Sequence, residues 1–550
     1  MAYDDVYRMI GSCGRYQKLI YVLQTLPVMF AAVQTYLSVF ILYVPDHRCS
    51  SLNSINTTHA PQDIHFLSSR CKVYNNIKSE FLYEVYNSPE SSNWDNLTMP
   101  SSECRSWEYD TALFENTFVT QKNLVCKKKL YRTHAIVAYM AGFTLGSLGI
   151  GIFSDKFGRK VVLMASIALY IGSSIPLSFV NEFSEFTVSR IFSGVSVGGL
   201  LNTCYVMELV EPRMRMLAGM VYMLFWGTGA LLLTGMAYLI RDWRNLNLSL
   251  ALPTILFLFY KILVPESTRW LVVKGRRKQA ENILSLNARR NNRSFKEPIL
   301  PDEDEEAQRD EQRVSFIAFC SYPRLLCNTF VIFFNWFVVS LVFFGLSWNV
   351  SNLGNDVFLN FYLTSIAQIV GFLLCIPLLN GVGRKPVYVG SLFMGGVALL
   401  LTIFPVKYGS SDIEWITFSL SFVGMTGSSM AVATLFLYST ELFPTVVRNS
   451  GLGIANLCAC IGGIIAPYIP DLNKIVSGDI GRILPMSIFG IFAIIAGLLS
   501  LLLPETNKPR LPETLGDAVL QNEGHTHRDM EMVTVIQPLK ETPENSLTLQ

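Results

Sequence analysis

Long apolar runs dominate the chain and are separated by short polar stretches that carry lysine and arginine. A helix crosses the hydrocarbon core with about 20 apolar residues. Runs of that kind fall at 19–44, 134–154, 161–180, 187–209, 216–240 and 246–264. After a polar gap, six more fall at 328–349, 357–380, 387–405, 415–439, 447–470 and 483–503. The pattern predicts an all-α membrane protein with twelve transmembrane helices in two six-helix bundles. The run 246–264 is interrupted by Asn247 and Pro253, and 447–470 is rich in Gly and Ala; helix bundles tolerate both. The first run is too long for a signal-peptide core and no small-residue cleavage site follows it, so it is expected to remain as a span.

The short loops orient the spans. Residues 155–160, 211–215 and 383–386 place Lys and Arg on one side together with both termini, and that side is expected to be cytoplasmic. The chain then divides into a cytoplasmic start (1–18), an N-terminal bundle (19–264) with a large extracellular loop (45–133), a cytoplasmic loop (265–322), a C-terminal bundle (323–503) and a cytoplasmic tail (504–550). The extracellular loop holds Cys49, Cys71, Cys104 and Cys126, an even number in an oxidising compartment, and acceptor sequons at Asn56 and Asn96. Four cysteines allow three pairings, and the spacing does not choose among them. The cytoplasmic loop reads as basic and helical from Arg269 to Lys296, then acidic over 301–311. The tail is polar and without periodicity, which predicts disorder.

Composition sharpens the class. Of 550 residues, 51% are hydrophobic and 16% charged, with a mean hydropathy of +0.35; soluble domains carry about 25% charged residues. The net charge of +2 argues against a nucleic-acid partner. No phosphate-binding loop, nucleophile–base constellation or metal spacing appears, so neither an enzyme nor a cofactor nor a metal is expected; His525 and His527 in the tail are too isolated to suggest one.

The halves repeat. Gly158-Arg159-Lys160 follows the second run and Gly383-Arg384-Lys385 the eighth. Glu208 and Arg215 bracket the end of the fourth run as Glu441 and Arg448 bracket the end of the tenth. Pro265-Glu266 closes the sixth and Pro504-Glu505 the twelfth. Parallel repeats of this kind place a binding site between the halves near the membrane midplane. Asp155, Arg159, Glu208, Arg215, Arg384, Glu441 and Arg448 are gating candidates: paired, they would latch one face of the molecule, and the latch would break as the halves rock. Loop anchoring is the plainer alternative.

These residues resemble the major facilitator superfamily, and within it the organic cation, anion and carnitine transporter family. The resemblance covers nearly the whole chain. It is carried by Gly14-Arg-Tyr-Gln17, Pro45-Asp46-His47-Arg-Cys49, Asn123-Leu-Val-Cys126, Ser154-Asp-Lys-Phe-Gly-Arg159, Pro265-Glu-Ser-Thr-Arg-Trp270 and Tyr438-Ser-Thr-Glu-Leu-Phe-Pro-Thr445. It implies alternating-access transport of small organic ions. Relatives that handle cations carry an acid in the eleventh span where this chain has Cys460, and those that handle anions an arginine. Before the eighth-span motif, an acid is common where this chain has Gln368; anion carriers can have lysine where it has Phe372, and the motif's own acid is Asn380.

What remains inside the runs is aromatic and amide. A formal charge in the bilayer costs about 2.5 kcal/mol or more, and the run centres appear almost free of charge, Lys261 lying near an inner end. Trp336 and Phe343 match aromatic pocket positions of the cation-handling relatives, with Trp226 and Phe344 as further ring candidates. Gln34, Asn202, Asn335, Gln368 and Asn456 can donate and accept hydrogen bonds without favouring a sign. Rings attract desolvated cations, while amides and rings equally serve as helix packing. The expected function is polyspecific transport of small organic ions in the plasma membrane, with cations or carnitine-like zwitterions favoured. An organic-anion exchanger and a non-transporting receptor with a carrier fold are the alternatives.

Overall fold

The computed structural model describes residues 14–50, 71–74, 101–203, 214–291, 323–350, 356–408, 414–443, 448–472 and 479–506, with Val210 and Val476. The sequons at Asn56 and Asn96, and Glu208, lie outside these residues. Eleven described helices are long and apolar enough to cross a bilayer: Arg15–Ile41, Cys126–Phe157, Arg159–Leu177, Arg215–Leu239, Trp243–Leu263, Pro323–Asn349, Val357–Gly381, Arg384–Tyr408, Trp415–Leu442, Ser450–Asp471 and Ile483–Ser500. A further helix, Phe183–Thr203, stands fourth in order and carries Glu185 and Arg190. In chain order these are spans 1 to 12. Span 6 is the least regular. It is α-helical over Trp243–Ala251, tightens to a 3-10 helix over Leu252–Phe259 and returns to α at Tyr260–Leu263; Pro253, which has no N–H to give, sits at the transition.

Apolar side chains cover the outside of the bundle: Ile152, Leu239 and Ile262 are 72%, 75% and 82% exposed. Such a surface suits lipid tails rather than water. Spans 2 and 4 lie in intimate contact because glycines alternate across them. A Cβ on Gly142 would stand 2.1 Å from the Ile191 carbonyl, and one on Gly194 would stand 2.1 Å from that of Tyr139, so the backbones meet where only small residues fit. The two six-helix halves touch along two seams, span 5 against span 8 and span 2 against span 11.

At one end, between spans 1 and 2, His47–Cys49 pairs antiparallel with Trp107–Tyr109 and Lys72–Tyr74 with Ser101–Glu103. Disulfides join Cys49 to Cys104 and Cys71 to Cys126, the choice that spacing left open. Peptide mapping of the unreduced protein is expected to recover these two linked pairs. A Cys49–Cys71 or Cys49–Cys126 link would contradict this fold of the segment.

At the opposite end, two loop helices, Thr268–Val273 and Arg277–Arg290, share a small core of Trp270, Leu271, Ala280, Leu284 and Ala288. The indole N–H of Trp270 donates to the Asp155 carbonyl at 3.0 Å, and the Asn291 amide donates to Gln17 Oε1 at 2.7 Å, which fastens the loop to spans 1 and 2.

Candidate functional site

The disulfide end is closed by rings from both halves. Phe40 at the end of span 1 stacks on Phe358 of span 8 at 5.8 Å and meets Phe361 edge-on at 5.3 Å. Phe114 and Tyr238 approach the same Phe358 at 5.0 and 5.8 Å. Beside this plug, burial and then Asp46 push the Tyr43 phenol above its ordinary range.

One turn deeper, Tyr36 of span 1 is fully buried on the seam. Its ring meets Phe361 edge-on at 5.5 Å, and its hydroxyl accepts from the Trp226 indole N–H at 3.1 Å. Ser347 of span 7 and Gln368 of span 8 flank the same hydroxyl from the other half. Gln368 is fully buried, and neither its amide nitrogen nor its amide oxygen completes a hydrogen bond. A buried unpaired amide costs about 1–3 kcal/mol, so this cluster has unspent hydrogen-bonding capacity on the line where the halves meet. Two residues expected to bind substrate, Trp226 and Gln368, are thus brought together by one that was not singled out, Tyr36.

Gln34, two residues before Tyr36, is committed elsewhere. The guanidinium of Arg190, itself fully buried, donates to the Gln34 carbonyl at 3.2 Å, to Gln34 Oε1 at 3.0 Å and to Ser38 Oγ at 2.7 Å. It also lies 4.3 Å from the centre of the Tyr139 ring. Among the described residues no carboxylate pairs with it. Neutral oxygens and a ring face hold this cation, and holding it fixes span 4 to the stretch of span 1 that presents Tyr36. The expectation of almost uncharged run centres does not extend to this position. Arg190 lies near the start of the run 187–209, where a charge reads as an end-of-span anchor, yet it points into the bundle.

Other candidates divide between packing and seam. Asn335 donates to the Val331 carbonyl at 2.7 Å and accepts from Tyr388 at 2.8 Å and Ser500 at 3.1 Å. These three bonds tie spans 7, 9 and 12 together within one half. Trp336 donates to Ser439 Oγ at 2.9 Å and meets Phe436 edge-on, both in span 10. Phe343 is buried against Phe344, which stacks on Trp348 at 5.4 Å. Cys460 lies beside Thr144 of span 2, and a Cβ on Gly463 would stand 3.6 Å from both Met140 and Phe344, so this stretch of span 11 does face the seam. Asn202 lies in span 4, and Asn456 is half-buried in span 11.

The repeated charged motifs build two similar corners at the loop-helix end. Gly158 and Gly383 have φ of +108° and +113°, a region that favours glycine. In each corner the glutamate of the Pro-Glu pair caps the helix that follows. Glu266 accepts from the Lys160 N–H at 3.0 Å; Glu505 accepts from the Arg384 and Lys385 N–H groups at 3.0 and 3.1 Å. Carboxylates are favoured at helix N-termini by the free N–H groups and the dipole. The Pro-Glu repeat was visible in the sequence, but not that its carboxylate would serve a helix more than 100 residues away.

Arg384 Nε lies 3.1 Å from Glu441 Oε2, with side chains only 18% and 14% exposed, and Thr506 Oγ1 donates to the same carboxylate at 2.7 Å. Arg159 pairs with Asp155 at 2.6 Å and donates to Ser154 Oγ at 2.9 Å. Both of these contacts lie within one half. Arg448 bonds the Phe443 carbonyl at 3.2 Å and lies within electrostatic reach of Arg215 and Arg269 from the other half.

Comparison with known proteins agrees with this architecture. The profile of the family described as sugar (and other) transporter matches residues 63–514. The chain is 37% identical to the organic cation transporter protein of Drosophila melanogaster, over 94% of each chain. It is 28% identical to solute carrier family 22 member 2 of Homo sapiens, again over 94% of each. The fold is similar to the partially occluded inward-open xylose transporter XylE of E. coli, with a TM-score of 0.62 and 17% identity over 90% of this chain and all of that one. A twelve-span fold of two like halves, the paired glycine–arginine corners and these relatives together establish that the chain belongs to the major facilitator superfamily and, within it, to the organic cation, anion and carnitine transporter family.

Proposed function

We propose that the protein carries small organic ions across the plasma membrane by alternating access, with both termini in the cytoplasm and the disulfide end outside. The observation that carries this reading is the cluster on the seam. Tyr36 and Trp226 from one half meet Ser347 and Gln368 from the other, and the Gln368 amide is buried beside the Tyr36 hydroxyl without completing a well-formed hydrogen bond. A ligand at that point touches both halves, so its binding is coupled to their rocking. The printed names of the relatives support an organic-ion cargo.

The cluster holds rings and an amide but no carboxylate among its described members, so attraction for a cation rests on ring faces, worth about 2 kcal/mol when desolvated. That favours amphipathic cations or zwitterions, a broad range of shapes, and facilitated diffusion or exchange. Cys460 and Phe344 border the second seam. In cells expressing the protein, Trp226→Ala is expected to lower uptake of cationic and zwitterionic probes about tenfold, the ratio equivalent to ~1.4 kcal/mol. Trp336→Ala, whose indole is held by Ser439 away from the Tyr36–Gln368 cluster, is expected to change it far less. Equal losses in the two variants at matched surface levels would place the site elsewhere. Preferential uptake of anionic probes would favour an anion exchanger instead.

A further inference from the structure

We propose that Arg132, Thr133 and Asp471 form a clasp between the halves that keeps the disulfide end shut, and that the strength of this clasp sets how readily the carrier opens outward. The proposal rests on the orientation and alternating access inferred above. The Thr133 hydroxyl, in the second turn of span 2, donates to Asp471 Oδ2 at the end of span 11. The neighbouring Arg132 guanidinium is within electrostatic reach of the same carboxylate and of Tyr43. All three residues are nearly buried, at 9%, 2% and 8% exposed. The rings of His134 and Tyr468 meet edge-on across the same gap at 6.5 Å.

Deeper along this seam the contacts are neutral: Met140 and Thr144 lie against Gly463 and Cys460. Among the described residues, the clasp thus brings charge to a boundary made deeper down of soft and small groups. A buried carboxylate is stable only while paired and hydrogen-bonded, and charge-assisted bonds are among the stronger ones. Opening the disulfide end must part spans 2 and 11 here, and both charges then regain water. Hydration offsets much of the lost attraction, which makes the contact strong when closed yet reversible. The braces at Arg384–Glu441 and Arg159–Asp155 stay within one half and need not break when the halves part.

Accessibility of the seam tests this without reference to any substrate. Met140→Cys on a Cys460→Ser background places a thiol just below the clasp. Its rate of modification by a membrane-impermeant cationic thiosulfonate, added outside intact cells, reports opening of that end. Adding Asp471→Asn or Arg132→Gln is expected to raise the rate about fivefold or more, in the range of ordinary coupling energies. Thr133→Val should give a smaller rise, and the exchanged pair Arg132→Asp with Asp471→Arg should return toward the parent rate. Thr133→Val changes no charge and carries the test if the charged variants do not reach the surface. Unchanged rates in surface-expressed variants overturn the clasp. A rise seen only when the reagent is given from the cytoplasmic side leaves the clasp standing and overturns the orientation. Abolished transport of every probe with a normal rise in labelling would count against the transport site alone.

Discussion

Replacing Arg190 with alanine is expected to remove most of the protein from the cell surface and to lower its thermal midpoint in detergent by several degrees. The guanidinium makes hydrogen bonds to the Gln34 carbonyl, Gln34 Oε1 and Ser38 Oγ and stacks over Tyr139. Hydrogen bonds to a charged group contribute about 1.5–3 kcal/mol each, and Arg190→Ala leaves these acceptors and a cavity behind. Against a typical net stability of roughly 5–15 kcal/mol, the loss of two or three such bonds is severe. Arg190→Lys should rescue little, since one ammonium cannot span three separated oxygens and lie flat on a ring. Gln34→Leu alone should also destabilise, because it removes an acceptor and leaves the cation buried. The double variant Gln34→Leu with Arg190→Met should recover part of the loss, since charge and its side-chain acceptor go together. Surface biotinylation and melting curves of the four variants decide the matter. An Arg190→Ala protein that reaches the surface and melts within about 2 °C of the parent, a shift too small for a loss of this size, would show that the cation does not hold spans 1 and 4 together.

The second large effect is expected at the corner of the C-terminal half. Arg384→Ala and Glu441→Gln should each cut uptake about tenfold or more at nearly unchanged surface level. A partly buried, doubly bonded pair is worth more than the ~0–1 kcal/mol of an exposed one, and here it unites three chain segments: the start of span 9, the end of span 10 and, through Thr506, the chain after span 12. Alternating access moves each half as a body, so a corner that yields wastes the motion. Arg159→Ala should act in the same direction in the other half. The exchanged pair Arg384→Glu with Glu441→Arg should restore part of the transport if the pairing matters and little if each charge acts alone in fixing topology. Normal transport in both single variants would remove the bracing role altogether.

Much of the architecture follows from the one-dimensional pattern. Bilayer thickness demands a run of given length, so twelve apolar stretches announce twelve helices whatever their packing. The charged corners are legible for a similar reason: they lie at helix ends, where the need for a glycine turn and a few paired charges is local. Repetition of those corners reveals two like halves before any contact is known. The four cysteines announce disulfides because the loop holding them is long, polar and expected outside.

Which face each helix presents is another matter, and tertiary structure alone decided it. Asn335 and Gln368 are both amides in apolar runs, and nothing in their neighbours along the chain separates them. Packing gave Asn335 three partners from its own half and left Gln368 on the seam with none completed. Trp226 and Trp336 each give their indole N–H to a residue of their own half, but one partner, Tyr36, lies on the seam beside Gln368, and the other, Ser439, does not. Arg190 was not singled out, because sequence position tells depth along a helix but not direction around it. The disulfide pairing was decided by the assembled loop, which joins Cys49 to Cys104 and Cys71 to Cys126 although the strand register sets Cys71 beside Cys104. A helix side chain turns by 100° per residue, so its role depends on which neighbour occupies that bearing. Those neighbours come from distant parts of the chain, and only the assembled bundle specifies them.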